Sequence, residues 1–207
     1  MQLIGMLDSP YVRRVAISLR LLNLPFEHRP ISVFRTFEQF RQINPVVKAP
    51  TLVTDDGTVL MDSTLILQWI EGEGPHDAAS RLTPTTRTAR LQDLRLTGLA
   101  LAACEKTVQI AYEHQLRPED KWHAPWLDRV NGQLSAAYAA LEAEVASTPP
   151  QAEPTALTHG SIATAVAWSF TQLMLPDHMN PATHPATAAF TEAAERLPAF
   201  RACPQVG

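Results

Sequence analysis

Asn44 to Ile70 reads NPVVKAPTLVTDDGTVLMDSTLILQWI, and its turn residues decide what kind of fold surrounds it. Asn44-Pro45 ends a short helix marked by Phe37, Phe40 and Ile43, because the residue before a proline is pushed out of the helical region. Thr51 to Thr54 and Val59 to Met61 then flank Asp56-Gly57, a dipeptide that accepts the positive φ a tight hairpin demands. Asp62-Ser63 is an N-cap pair, and Leu65, Ile66, Trp69 and Ile70 behind it share one helical face.

Upstream the pattern continues. Leu3 to Leu7 is a short apolar run closed by Asp8-Ser9-Pro10, a turn that also starts a helix with Val12, Val15, Ala16, Leu19 and Leu22 at 3.6-residue spacing. Asn23 and Pro25 end it. Phe26 to Ile31 reads as a second strand, held to an edge or an early end by Pro30. The predicted order is therefore βαβαββα, an α/β domain over residues 1–75.

Downstream the composition changes. Residues 1–75 hold two alanines, Ala16 and Ala49, whereas residues 76–207 hold 27. That second part shows no strand pattern and reads as an all-helical bundle. Its best helix runs through Leu127, Val130, Leu134, Tyr138, Leu141 and Val145, with others near 87–113, 158–173 and 185–196. Gly72, Gly74 and Pro75 and the polar stretch to Pro84 form the expected linker, 76–84, leaving 85–207 as the helical domain.

Composition excludes several classes of function. Charged residues are 18% and hydrophobic ones 45%, which argues against disorder, and a net charge of −4 with fourteen scattered arginines argues against a nucleic-acid partner. Residues 154–176 carry no formal charge apart from what His159 can hold. Thr155, Thr158, Ser161, Thr164, Ser169, Thr171 and Gln172 suit a buried central helix better than a membrane span, so no membrane partner is expected. Cys104 and Cys203 stand alone, with no paired spacing, and the seven histidines are dispersed, so neither a disulfide framework nor a metal site is expected. The opening MQLIGMLD has no basic leader or long apolar run, and a cytoplasmic location is expected. The eight glycines assemble no dinucleotide, NTP or serine-hydrolase motif.

The chemistry that remains lies at element termini. Ser9 before Pro10 is an ordinary helix cap, yet a hydroxyl at a helix N-terminus also sits where an anion such as a thiolate is favoured. Asp62 and Ser63 form a second cap. They can also hold an amino-acid-like ligand, the hydroxyl and N–H groups taking a carboxylate and the Asp an ammonium. An Ala49–Pro50 bond in the cis form would turn the Ala49 N–H and C=O toward a peptide-like partner.

Three motifs in order, SPYVR at Ser9 to Arg13, NPVVKAPTLV from Asn44 and MDSTLILQWI from Met61, resemble the thioredoxin-like domain of cytosolic glutathione transferases, in the bacterial-type form with serine at the sulfur-activating position. SPYV is also similar to the C-x-x-C position of glutaredoxins with serine for the first cysteine. The resemblance runs on through YEHQLRPE from Tyr112, LTHGSIA from Leu157, HPATAAF from His184 and RLPAFRACP from Arg196. It implies a thioredoxin-like N-terminal domain followed by a helical one. It also implies an enzyme that joins the thiolate of glutathione, a co-substrate rather than a cofactor, to a small hydrophobic electrophile.

Carried over residue by residue, the resemblance makes Ser9 the catalytic hydroxyl bound to the glutathione sulfur. It puts Lys48 near the glycyl carboxylate, Ala49 on the cysteinyl backbone beside a cis Pro50, and Asp62 with Ser63 at the γ-glutamyl end. It further implies a homodimer and a role in detoxification. Leu7, Tyr11, Leu101, Cys104, Tyr112 and Trp168 are candidate walls for the electrophile. Two residues depart from the family pattern: Val47, where glycine is common, which implies a reshaped loop, and Ser161, where an Asp usually completes the cap of the central helix. Isomerisation, dehalogenation, peroxide reduction and a non-catalytic interaction role use the same fold and stay open on the sequence.

Overall fold

The structure, a computed structural model, describes residues 1–73 and 81–205. Two compact units emerge, Met1–Pro84 with Arg196–Gly207, and Thr85–Glu195.

The first unit is built on four strands, β1 (Gln2–Ile4), β2 (Glu27–Arg29), β3 (Thr51–Val53) and β4 (Val59–Met61), in the order β2-β1-β3-β4. β1 pairs parallel with β2 and antiparallel with β3, and β3 pairs antiparallel with β4. Helices α1 (Pro10–Leu21), α2 (Phe37–Ile43) and α3 (Ser63–Glu73) complete the βαβαββα order. Leu3 and Ile4 are adjacent and both fully buried. Successive strand side chains point to opposite faces, so both faces of this sheet are covered. Ile4, Ile31 and Phe40 form one cluster, joined by Val33, Ile43, Val47 and Val53, and α1 and α3 pack together elsewhere in the unit.

Local chemistry sets the boundaries. Gly5 ends β1 at φ +137°, and a Cβ there would stand 2.6 Å from Val12 Cγ2, so only glycine lets β1 pass this close to α1. Asn23, in the left-handed region at φ +54°, closes α1, with its N–H on Arg20 O and the Leu24 N–H on Leu19 O. The edge place expected for the strand near Pro30 is the one β2 occupies.

Two expectations need correcting. Gly72 lies inside α3 instead of opening a turn, while Gly74, Pro75 and most of the expected 76–84 linker lie outside the described residues. The chain end, assigned by composition to the helical domain 85–207, belongs to the first unit. A short helix, α8 (Pro198–Arg201), returns to α1, where the buried Arg13 donates from Nε to Cys203 O at 2.8 Å and lies over the Phe200 ring at 5.8 Å.

The second unit contains α4 (Arg87–Leu116), α5 (Ala124–Ser147), α6 (His159–Met174) and α7 (Pro185–Glu195). α6 is the central helix, packed on α4 and α7, and nearly every residue from Gly160 to Thr171 is buried. Its buried threonines find partners inside the unit: Thr164 donates to Gly160 O at 2.8 Å, and Thr171 Oγ1 pairs with Tyr138 OH of α5 at 2.6 Å and Thr107 Oγ1 of α4 at 2.7 Å. Burial pushes the Tyr138 phenol well above its ordinary pKa. No helix among the described residues is long and apolar enough to cross a membrane.

Candidate active site

Strand register gathers the site. Ile4 at the end of β1 faces Thr51 at the start of β3, and Thr51 faces Met61 at the end of β4. The segments after Ile4, before Thr51 and after Met61 therefore leave the sheet at one end. Those segments carry Ser9, Lys48 with Ala49, and Asp62 with Ser63. A Cβ on Gly5 would lie 3.2 Å from Ala49 Cβ, which fixes the closeness of the first two.

Ser9 is the N-cap of α1, in extended backbone, and its Oγ accepts from Val12 N at 3.5 Å. That bond is long, at the outer limit of hydrogen bonding. The residue is half-buried, and a hydroxyl that accepts from a backbone N–H still has its own proton to donate. Capping and donation to a sulfur are thus compatible roles for one oxygen.

The segment before β3 is tied by a buried polar clasp. Asn44 Oδ1 accepts from Val46 N at 3.0 Å, Asn44 Nδ2 donates to Thr51 Oγ1 at 2.9 Å, and Thr51 Oγ1 donates to Lys48 O at 2.8 Å. Asn44 and Thr51 are both buried, so each of these bonds is costly to lose. Within the clasp Val47 holds φ +51°. A β-branched residue there is strained by about 1–2 kcal/mol, offset by packing of its side chain on the Ile4, Ile31 and Phe40 cluster. Val47 thus takes up the backbone that glycine adopts freely. The Ala49–Pro50 bond is cis, Ala49 is half-buried and Lys48 is exposed.

At the third segment Asp62 has φ +72°, its Oδ1 accepts from Thr64 N at 2.9 Å, and its carbonyl receives the Ile66 N–H. Ser63 heads α3 and is 4% exposed. Its Oγ accepts from Arg14 Nη1 at 3.3 Å, and Thr64 Oγ1 accepts from the same nitrogen at 3.4 Å. Arg14, Asn44 and Thr51 are missing from the sequence-based site. The one local signal for Arg14 is a pair of arginines at positions 13 and 14 in the middle of an apolar helical pattern. Of the three non-glycine residues with positive φ among the described residues, Asn23 closes a helix, while Val47 and Asp62 both border this end of the sheet. Backbone held in sparsely populated regions concentrates at ligand clamps.

Residues 3–77 match the protein family described as glutathione S-transferase, N-terminal domain. The match takes in the first unit's sheet and its three site segments. The transferase likeness extends over both units. A crystal structure of a glutathione transferase family member from Pseudomonas fluorescens Pf-5, with bound S-(propanoic acid)-glutathione, is 27% identical with a TM-score of 0.83 and covers 98% of this chain and 97% of that one. Glutathione S-transferase Z2 of Arabidopsis thaliana is 25% identical over 203 residues, 93% of this chain and 85% of its own. The GST-like protein YibF of Escherichia coli K12 is 35% identical over 71 residues, 34% of this chain and 35% of its own. Several of the curated relatives are thus matched over only a third to a half of their length.

The candidate electrophile walls separate by exposure. Leu7, Cys104 and Trp168 are buried, and Trp168 packs edge-on against Tyr138 with ring centroids 5.3 Å apart. Tyr11 and Leu101 are half-buried, while Tyr112 is exposed. Within the helical unit Tyr112 borders a cavity of about 370 Å3 with Val108, Leu116 and Trp126 as its other apolar walls and Gln109, Glu113 and Arg117 as polar ones. Trp126, Leu116 and the cavity itself had no signal in the helical periodicity, because exposed apolar residues at the end of α4 and the start of α5 read as part of an ordinary buried stripe.

Proposed function

We propose that this protein is a glutathione transferase that joins the thiolate of glutathione to a hydrophobic electrophile. The observation that carries the reading is the convergence of Ser9, Ala49 and Ser63 at one sheet end beside two strained residues, in a domain matching the transferase N-terminal family. Ser9 donates a hydrogen bond to the sulfur and keeps its proton. Serine is no general base near neutral pH, so the site favours thiolate by stabilising it, and the thiol proton leaves to solvent. Lowering a thiol pKa of about 8.5 by roughly two units requires ~2.7 kcal/mol, within reach of one charge-assisted hydrogen bond and a helix N-terminus. The sulfur lone pair then forms the new bond to the electrophilic carbon as the leaving group departs with its electron pair.

Ala49 offers backbone N–H and C=O to the cysteinyl unit, and Lys48 offers its ammonium to the glycyl carboxylate. Asp62 receives the γ-glutamyl ammonium, and Ser63 with the first N–H groups of α3 receives the neighbouring carboxylate. A homodimer is part of the reading. It is supported by the exposed apolar side chains Met61 and Leu65 in the first unit and Leu91 and Leu94 in the second. A cytoplasmic, detoxifying role completes the reading.

Calorimetric titration with glutathione, run beside light scattering, tests the reading. Binding at micromolar to millimolar affinity, a mass of two 22.8 kDa chains and a conjugate with chlorodinitrobenzene are expected. Absence of glutathione binding would leave only an interaction module. Binding with isomerised, dehalogenated or reduced products would redirect the assignment to those reactions.

A further inference from the structure

We propose that Arg14 is a positioning residue that makes Ser63 a fixed hydrogen-bond donor and thereby sets a preference for a carboxylate at the γ-glutamyl end of the ligand. The inference rests on the glutathione reading above and adds to it a residue on a different element.

Arg14 projects from the second turn of α1, the helix that Ser9 caps, and is 3% exposed. One of its nitrogens, Nη1, lies 3.3 Å from Ser63 Oγ and 3.4 Å from Thr64 Oγ1. A guanidinium only donates, so both hydroxyl oxygens accept from it. The Ser63 proton cannot point back along that bond. It must be given to some other acceptor, and the cation on its oxygen makes it a stronger donor. Ser63 is also the first residue of an eleven-residue helix, whose leading N–H groups face the same end and favour negative charge. The acceptor that suits this set is an anion. Asp62, one residue earlier with its carboxylate turned by the Thr64 N–H, suits a cation. The pair of neighbouring preferences matches the α-carboxylate and α-ammonium of a γ-linked glutamyl group, with Arg14 acting through Ser63 instead of touching the ligand.

Ligand chemistry tests the idea. Affinities of S-methylglutathione and of its analogue with γ-aminobutyryl in place of γ-glutamyl, which lacks the α-carboxylate, are measured for wild type, Arg14→Met and Arg14→Gln by calorimetry, with thermal melts reporting folding. Wild type should prefer the carboxylate-bearing ligand by ~100-fold, the range of charge-assisted hydrogen bonds. Arg14→Met should cut that preference by about tenfold or more, by weakening S-methylglutathione while leaving the analogue unchanged. Arg14→Gln, which can still donate to Ser63 but carries no charge, should lose about threefold to tenfold, and it carries the decision if the Met variant does not fold. A folded variant that weakens both ligands equally, or keeps the wild-type preference, overturns the role of Arg14 and leaves the glutathione reading standing. A wild type that binds neither ligand overturns the glutathione reading itself.

Discussion

The helix starts at Ser9 and at Thr158 use the same local device, a hydroxyl on the N-cap, and have opposite character. At α6 the device is closed. Thr158 Oγ1 accepts from Ser161 N at 3.2 Å, Ser161 Oγ accepts from Thr158 N at 2.8 Å, and Asp93 reaches across from α4 to accept from Gly160 N at 2.6 Å. At α1 the single cap contact is 3.5 Å long, the next residue is a proline with no N–H to offer, and the hydroxyl is half-buried. The contrast separates stability from chemistry. A cap whose hydroxyl and backbone N–H are both taken up holds a helix, and one that is slack leaves its hydroxyl proton available for a ligand. It also answers the departure at position 161. The serine completes a capping box, and the carboxylate expected there is supplied by Asp93, 67 residues away in sequence.

If that contrast holds, the largest losses of stability belong at α6. A Cβ on Gly160 would stand 2.5 Å from the Asp93 carbonyl oxygen and 2.7 Å from its Oδ1, both tied to another helix. Gly160→Ala should cost about 3 kcal/mol in urea unfolding and Asp93→Ala about 2 kcal/mol, by overpacking and by loss of a charged acceptor respectively. Equal stability of either variant to wild type would break the comparison.

A third helix start gives an intermediate case with a pH signature. Glu142 accepts from Ala186 N at 2.8 Å and from Thr187 N and Oγ1 at 2.9 and 2.8 Å at the head of α7. Burial pushes its carboxyl up, but the Thr187 and Ala186 N–H groups, the Thr187 hydroxyl and the nearby His184 outweigh it, so the pKa falls below the usual 4.5. A carboxylate with a lowered folded pKa stabilises fully above its unfolded pKa and loses that contribution as pH falls through the folded value. Glu142→Gln should therefore cost about 1 kcal/mol near neutrality. The difference from wild type should shrink as the pH drops below 4.5. A difference that stays constant with pH would show that the charge contributes nothing.

How much of this was legible in the sequence follows from distance along the chain. The βαβαββα order was readable because Asp56-Gly57, Asp8-Ser9-Pro10 and Asp62-Ser63 are local signals. Ser9 and the Asp62-Ser63 pair could be named because they sit at such signals, whereas Lys48 came only from the resemblance of NPVVKAPTLV and Ala49 from the proline that follows it. Arg14 with Ser63, Asp93 with Gly160 and Arg13 with Cys203 could not. Each joins residues 49 or more positions apart, and nothing in a helical period says which polar residue will be buried or against what. The left-handed backbone at Val47 was hidden for a different reason: a valine suggests a strand, and only the Asn44 and Thr51 clasp around it imposes the turn.

The smallest expected change in stability comes with the largest expected change in chemistry. Ser9→Ala removes a weak cap and should cost no more than ~0.5 kcal/mol. Whether this hydroxyl stabilises the glutathione thiolate is decided by titrating the thiolate absorbance of bound glutathione in wild type and Ser9→Ala. The bound thiol pKa should rise by about one to two units, with turnover lower by ~10 to 1000-fold and affinity for S-methylglutathione nearly unchanged. A titration that stays where it was in wild type would contradict this and leave Ser9 as a helix cap alone.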